Sequence, residues 1–198
     1  MFRKVRDSHI EPIRLGADGF CFSLPDGSER VVLEGPVTFV PGTVTDSQDQ
    51  ERCYLAVFPD MSGCRVFADR IEGLDGLLLC GAESGTARLI ETEHAEAAVT
   101  CRLHDLLAEM AGRECGTLAA EAHGDRVDVV AVRNGRLLYL NCIRKSEGDF
   151  KVGYYIVKVW KEFRFNGSRE RLRVSGLEDR KLLDNIALMT GVKVECES

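Results

Sequence analysis

Reactive side chains are spread thinly along this chain of 198 residues. Its four histidines stand at positions 9, 94, 104 and 123, and its eight cysteines at 21, 53, 64, 80, 101, 115, 142 and 196. No two cysteines have the C-x-x-C spacing that brings a pair of thiolates to one zinc or redox centre. His94 and His104 lack the one-turn separation of a zinc-binding helix, so spacing alone nominates no metal ligands. Glu91, Glu93 and Glu96 surround His94, and the sequence reads this stretch as a solvated acidic helix start rather than a cation site. The cysteines of GFCFSL, RCYLAVF, LLLCGA and YLNCI sit among apolar neighbours, where a thiol acts as a small hydrophobe. There is no local Cys–His pair and no G-x-S-x-G elbow, so no catalytic residue is expected.

Glycine-bearing turns are the other chemical candidates. Gly81-Ala82-Glu83-Ser84-Gly85-Thr86 has neither the spacing nor the lysine of G-x-x-x-x-G-K-[ST], and reads as a turn entering a helix. Three further turns stand at Arg14-Leu15-Gly16-Ala17, Glu121-Ala122-His123-Gly124-Asp125-Arg126, and Ser175-Gly176. Arg14 and Arg126 could also hold an anion directly through charge-assisted hydrogen bonds.

Composition sets the frame for these turns. Apolar residues make up 44% of the chain and charged residues 29%, which excludes wholesale disorder, collagen and coiled coil. No run approaches the ~18 apolar residues of a membrane span, and MFRKVRDSHIEPIRL lacks a signal-peptide core, so a cytoplasmic location is expected. The net charge is −6. It is split into 11 Lys/Arg against 22 Asp/Glu over residues 1–125 and 15 against 10 over 126–198. That balance argues against nucleic acid as partner.

The elements that must position the turns follow from periodicity. EPIRL, FCFSL and RVVLE read as a β-meander, followed by VTFV ending at Pro41. TDSQDQERCYLAVF reads as a short helix, CRVFADRI and GLLLCG as strands, and SGTARLI as another helix. HAEAAVTCRLHDLLAEMAG predicts one long helix, with Val99, Leu103, Leu106 and Met110 on a single stripe and Gly112 at its end. TLAAEA, VDVVAV and RLLYLNCI form a second meander, with Asn134-Gly135 as its hairpin turn. DFKVGYYIVKVWKEFRF (helix), RLRVSG (strand), LEDRKLLDNIALMTG (helix) and VKVEC (strand) close the chain. Packing explains the aromatics of Tyr154, Tyr155 and Trp160, with an exposed face for a protein partner as the alternative. The two meanders repeat weakly at a spacing of ~110 residues, as a duplicated α/β unit would.

Two meanders, each followed by helices and returning strands, resemble the ribonuclease-H-like lobes of the actin, hexokinase and Hsp70 superfamily of ATPases. The resemblance is to its short, pilus-assembly-like or cell-division-scaffold-like members, and more closely to uncharacterised Bacteroidetes proteins. It rests on DGFCFSL, VTFVP and above all VDVVAVRNGRLLYLNCIRKSEGDFKVGYYIVKVWKEF with RLRVSG. It implies an α/β fold of two related, trimmed lobes of mixed sheet with flanking helices: a reduced first lobe over 1–115 and a second over 116–198. It also implies three nucleotide contacts. The family's first phosphate loop, Asp-x-Gly-Thr, falls on Arg14, Leu15, Gly16 and Ala17, so the metal-organising acid and the hydroxyl are both replaced. The second, Asp-x-Gly-Gly-Gly-Thr, falls on Glu121 to Arg126, keeping an acid and Gly124 but placing His123 and Asp125 where glycines are expected. The third, a small-residue turn against adenosine, falls on Ser175-Gly176.

Phosphoryl transfer depends on positioning and charge neutralisation, and either altered loop should weaken it. The expectation is therefore a bacterial, non-catalytic binding or scaffold protein, a pseudo-ATPase with degenerate loops and no cofactor. A protein partner is expected, and a homodimer is compatible with the family. The alternative is a divergent ATPase holding ATP and magnesium at Gly16, Glu121, Gly124, Ser175 and Gly176.

Overall fold

A computed structural model describes residues 12–145 and 149–197; His9 lies outside them. The chain forms two compact units, one within residues 1–70 and 76–104, the other within 71–75 and 105–198.

The first unit opens with a meander of β1 (Ile13–Leu15), β2 (Gly19–Ser23) and β3 (Glu29–Leu33), each short run ended by a turn. β7 (Ala98–Cys101) joins β3 in parallel, giving the order β1-β2-β3-β7. A second, antiparallel sheet has β6 (Gly76–Ala82) between β4 (Val37–Pro41) and β5 (Arg65–Arg70). All seven residues of β6 are buried, as a central strand covered on both faces requires. Helix α1 (Ser47–Val57) starts where the Asp46 carboxylate accepts from the amides of Gln48 and Asp49. It places Tyr54, fully buried, against Val40, Leu77 and Leu79. Tyr54 also donates to the carbonyl of Pro36. A Cβ on Gly81 would lie 2.6 Å from the Tyr54 hydroxyl, so the ring needs glycine beneath it. Helix α2 (Ser84–Glu93) follows β6 directly.

The second unit holds a five-stranded sheet of order β10-β9-β8-β11-β12. β8 (Thr117–His123), β9 (Arg126–Arg133) and β10 (Arg136–Arg144) form the antiparallel meander. Asn134 and Gly135 both have positive φ, 54° and 68°, the geometry of a type I′ hairpin turn. The β10–β9 register slips between Leu137 and Tyr139. β11 (Arg171–Ser175) and β12 (Glu195–Glu197) add in parallel beside β8. Leu118, Val129 and Leu172 of this sheet share a core with Ile156 and Trp160 of α4 (Asp149–Glu162) and Ile186 of α5 (Arg180–Thr190). α5 is capped by Asp179 at its start and by left-handed Gly191 at its end.

The long helix expected over HAEAAVTCRLHDLLAEMAG is divided. Ala98–Cys101 is strand β7, and only His104–Ala111 is helical, as α3. Leu103, Leu106 and Met110 are buried as the stripe required. Val99 instead pairs with Val31 in the parallel ladder. A β-branched Val-Thr pair beside an open sheet edge gains more from the ladder than from continuing a helix. The repeated meanders also differ in their neighbours. The parallel strand joins the last meander strand in the first unit and the first meander strand in the second.

Candidate functional site

In the first unit the turn between β1 and β2 folds onto the start of α2. Gly16 has φ +59°, and a Cβ there would lie 2.2 Å from the Thr86 hydroxyl. The Thr86 hydroxyl, buried, donates to Asp18 Oδ1 at 2.5 Å and lies 3.2 Å from the carbonyl of Leu15. The second carboxylate oxygen of Asp18 accepts from the amide of Glu83 at 2.8 Å. Glu83 is the cap residue of α2 but makes no capping hydrogen bond with its own side chain. Asp18 therefore supplies, from another element, the negative group that a helix start favours. Arg14 turns back along the same hairpin. Its guanidinium donates to the carbonyls of Gly16 and Ala17 and lies 5.8 Å from the Phe20 ring centre. Sequence reasoning nominated Gly16 and Arg14 here but missed Thr86 and Asp18. The visible signal was the G-T pair of the GAESGT turn.

In the second unit Glu121, Ser175 and Gly176 come together. Ser175 is paired with Glu121 in the parallel ladder, and Gly176, φ +67°, sits so close that a Cβ would lie 2.9 Å from the carbonyl of Ala122. Gly124 forms the turn beyond β8 at φ +53° with open space above it. This turn is dressed with charge. His123 Nε2 lies 3.2 Å from Glu121 Oε2, and Arg126 Nε lies 3.7 Å from the exposed carboxylate of Asp125. Glu121 also faces Asp128, a buried acid, across the ladder. Three acidic residues, Glu121, Asp125 and Asp128, thus cluster at this strand end. Arg14 and Arg126 belong to different units.

A solved structure shares the fold over most of the chain. It is a protein of unknown function with an actin-like ATPase fold from Bacteroides thetaiotaomicron, similar at a TM-score of 0.69 and 18% identity over 81% of this chain. The chain has an actin-like ATPase fold. It spans 64% of that protein's chain, less than two thirds of its length. A PilM–PilN type IV pilus biogenesis complex matches with a TM-score of 0.44 and 9% identity, over 84% of this chain and 68% of that one. The Aquifex aeolicus PPX-GPPA enzyme matches at 0.29 and 12%, over 42% and 36%. No protein-family model and no curated protein matches the chain.

Within this actin-like fold, the second unit also carries an apolar groove of about 960 Å³ between α4 and α5. Phe150, Tyr154, Val157, Leu182, Ile186 and Met189 line it, and Lys158, Lys161 and Lys181 stand around it with Glu162 and Asp179. Gly153 lets the helices approach, since a Cβ would meet Leu182 at 2.7 Å. Phe150 is 87% exposed, Tyr154 51% and Met189 54%. Trp160, by contrast, is buried and stacks on Phe165. The aromatics of α4 thus divide between core and surface. Among the described residues no helix is long and apolar enough to cross a membrane.

Proposed function

We infer that this protein is a non-catalytic binding or scaffold protein that keeps an actin-like ATPase fold and has given up nucleotide chemistry. The observation that carries this reading is Asp18. In the hairpin corresponding to the first phosphate loop, the hydroxyl of Thr86 and the amide of Glu83 are already bonded to a carboxylate of the chain itself. A phosphate arriving there would have to displace an anion held by hydrogen bonds and helix dipole. Arg14 stands in place of the metal-organising acid, and His123 and Asp125 in place of glycines of the second loop.

The binding surface in this reading is the groove of α4 and α5. Its apolar floor and lysine rim fit an amphipathic helix of a protein partner with acidic residues flanking its apolar stripe. Exposed Phe150, Tyr154 and Met189 are side chains of the kind that anchor such a helix.

Thermal unfolding with and without millimolar magnesium-ATP, magnesium-ADP and other nucleotides tests the reading. A ligand at 100 times its Kd adds about 2.7 kcal/mol to stability. No shift with any nucleotide is expected. A specific shift with ATP would overturn the proposal in favour of a divergent ATP-binding protein, with Gly16, Glu121, Gly124, Ser175 and Gly176 as the residues to substitute next.

A further inference from the structure

We propose that Cys21, Glu29 and His94 form a zinc-binding site in the first unit. Cys21 lies on β2 and Glu29 on β3. In their antiparallel register Cys21 pairs with Val31 and Ser23 with Glu29, which makes Cys21 and Glu29 diagonal neighbours on one face of the sheet. His94, the residue that ends α2, brings its ring to the same place. The three potential ligand atoms lie within 4.8 Å of one another.

Two distances at His94 Nδ1 set the geometry of the cluster. Cys21 Sγ lies 3.6 Å from His94 Nδ1, and Glu29 Oε2 lies 2.7 Å from the same nitrogen. A tetrahedral zinc with Zn–S of about 2.3 Å and Zn–N of about 2.05 Å has an S···N edge of about 3.5 Å. The Cys–His distance therefore already suits the ion. The Glu–His distance is a hydrogen bond, and must open by about 0.6 Å to reach the corresponding edge. Glu29, whose side chain is 38% exposed, is the partner free to make that move.

Other uses of the cluster fit less well. A nucleophile relay needs the thiol on one imidazole nitrogen and the acid on the other. Here both address Nδ1, which holds a single proton or a single lone pair. Burial, and after it the Glu29 carboxylate, push the Cys21 thiol up, opposite to what a nucleophile needs. A divalent cation satisfies sulfur, nitrogen and carboxylate together and restores the thiolate. The thiolate, imidazole and carboxylate set selects zinc among the common divalent ions over magnesium or calcium. Three protein ligands leave the fourth position of the tetrahedron to water or an incoming group.

The test is titration of the chelator-treated full chain with zinc and with cobalt. Zinc should bind at one equivalent per chain. Cobalt should give the visible bands of a tetrahedral site together with a near-ultraviolet thiolate-to-cobalt charge-transfer band. Cys21→Ser should remove that band, and His94→Gln should weaken zinc at least ~10-fold, the scale reached when even a supporting partner of a ligand is lost. Cys196→Ser, an exposed thiol, should change neither. The cobalt spectrum of the unaltered chain stands even if a variant fails to fold. No stoichiometric binding, a spectrum without the thiolate band, or a band that survives Cys21→Ser would each overturn the proposal.

Discussion

Replacing Asp18 by Ala is the perturbation that bears most directly on the proposed loss of nucleotide chemistry. The side chain accepts two hydrogen bonds, from the Thr86 hydroxyl at 2.5 Å and the Glu83 amide at 2.8 Å. Hydrogen bonds to a charged group contribute about 1.5–3 kcal/mol each, and losing a helix cap costs about 0.5–2 kcal/mol. Asp18 is only half-buried, so water takes over part of what is lost, and the expected net cost is about 2 kcal/mol. For a chain of this size that corresponds to a fall in Tm of about 4–8 °C. Thr86→Val keeps the shape of a buried side chain and removes only the donor, at about 1–2 kcal/mol. Because the two groups bond each other, the double variant should cost less than the sum by about 1 kcal/mol or more. Urea unfolding of the four proteins closes the cycle. If Asp18→Ala falls within 0.5 kcal/mol of the parent, or the two substitutions add within that margin, Asp18 is not holding the helix start. The chain's own carboxylate would then not occupy this anion position, and the proposed loss of nucleotide chemistry would lose its support.

Three further outcomes are expected. A helical peptide with leucines on one face and flanking glutamates should bind the α4–α5 groove with salt-sensitive affinity, while a lysine-flanked version should not. Tyr154→Glu should abolish the binding, and failure of the glutamate peptide to bind by calorimetry would count against the groove as docking surface. Glu109 is the second case. Burial works to raise its carboxyl, but hydrogen bonds from Arg173 and Arg113 outweigh that and hold it below the ordinary range. A depressed folded pKa means stability that is present above the unfolded value, about 4.5, and lost as pH falls through the folded one. Glu109→Gln should therefore destabilise at neutral pH by about 2 kcal/mol, with the gap from the parent closing as the buffer is taken below that range. A gap constant from pH 7 to 3 would contradict it. The third concerns the thiols. Burial pushes Cys80 up to about 12 and Cys101 well above its ordinary value. Alkylation at neutral pH, followed by mass spectrometry, should label exposed Cys196 first and these two last.

What could be read before folding was whatever is local. The meanders, the Asn134-Gly135 turn and the helices α1, α4 and α5 all follow from residues a few positions apart. Ala98–Cys101 was misread because its apolar spacing also satisfies a helix, and only the edge of β3, far away in the chain, decides between the two. The contacts that give the loops their character are of the same non-local kind. Asp18 and Thr86 are separated by 68 residues, Glu29 and His94 by 65, and Cys21 and His94 by 73. No spacing rule spans such intervals. Glycines near 16 and 176 were visible as turns, but their need for glycine comes from Thr86 and from the Ala122 carbonyl.

The slipped register on β10 has a consequence for how copies of this protein can meet. β10 is a nine-residue strand at the border of its sheet, long enough to template a neighbour. The extra residue between Leu137 and Tyr139 breaks the even spacing of its outward amides and carbonyls. Arg136 and Arg144 end the strand with exposed positive charge, which repels an identical strand laid alongside. Growth by continuing the sheet from one molecule into the next is thereby discouraged, and any ordered self-association is directed to side-chain surfaces that can be matched and can close.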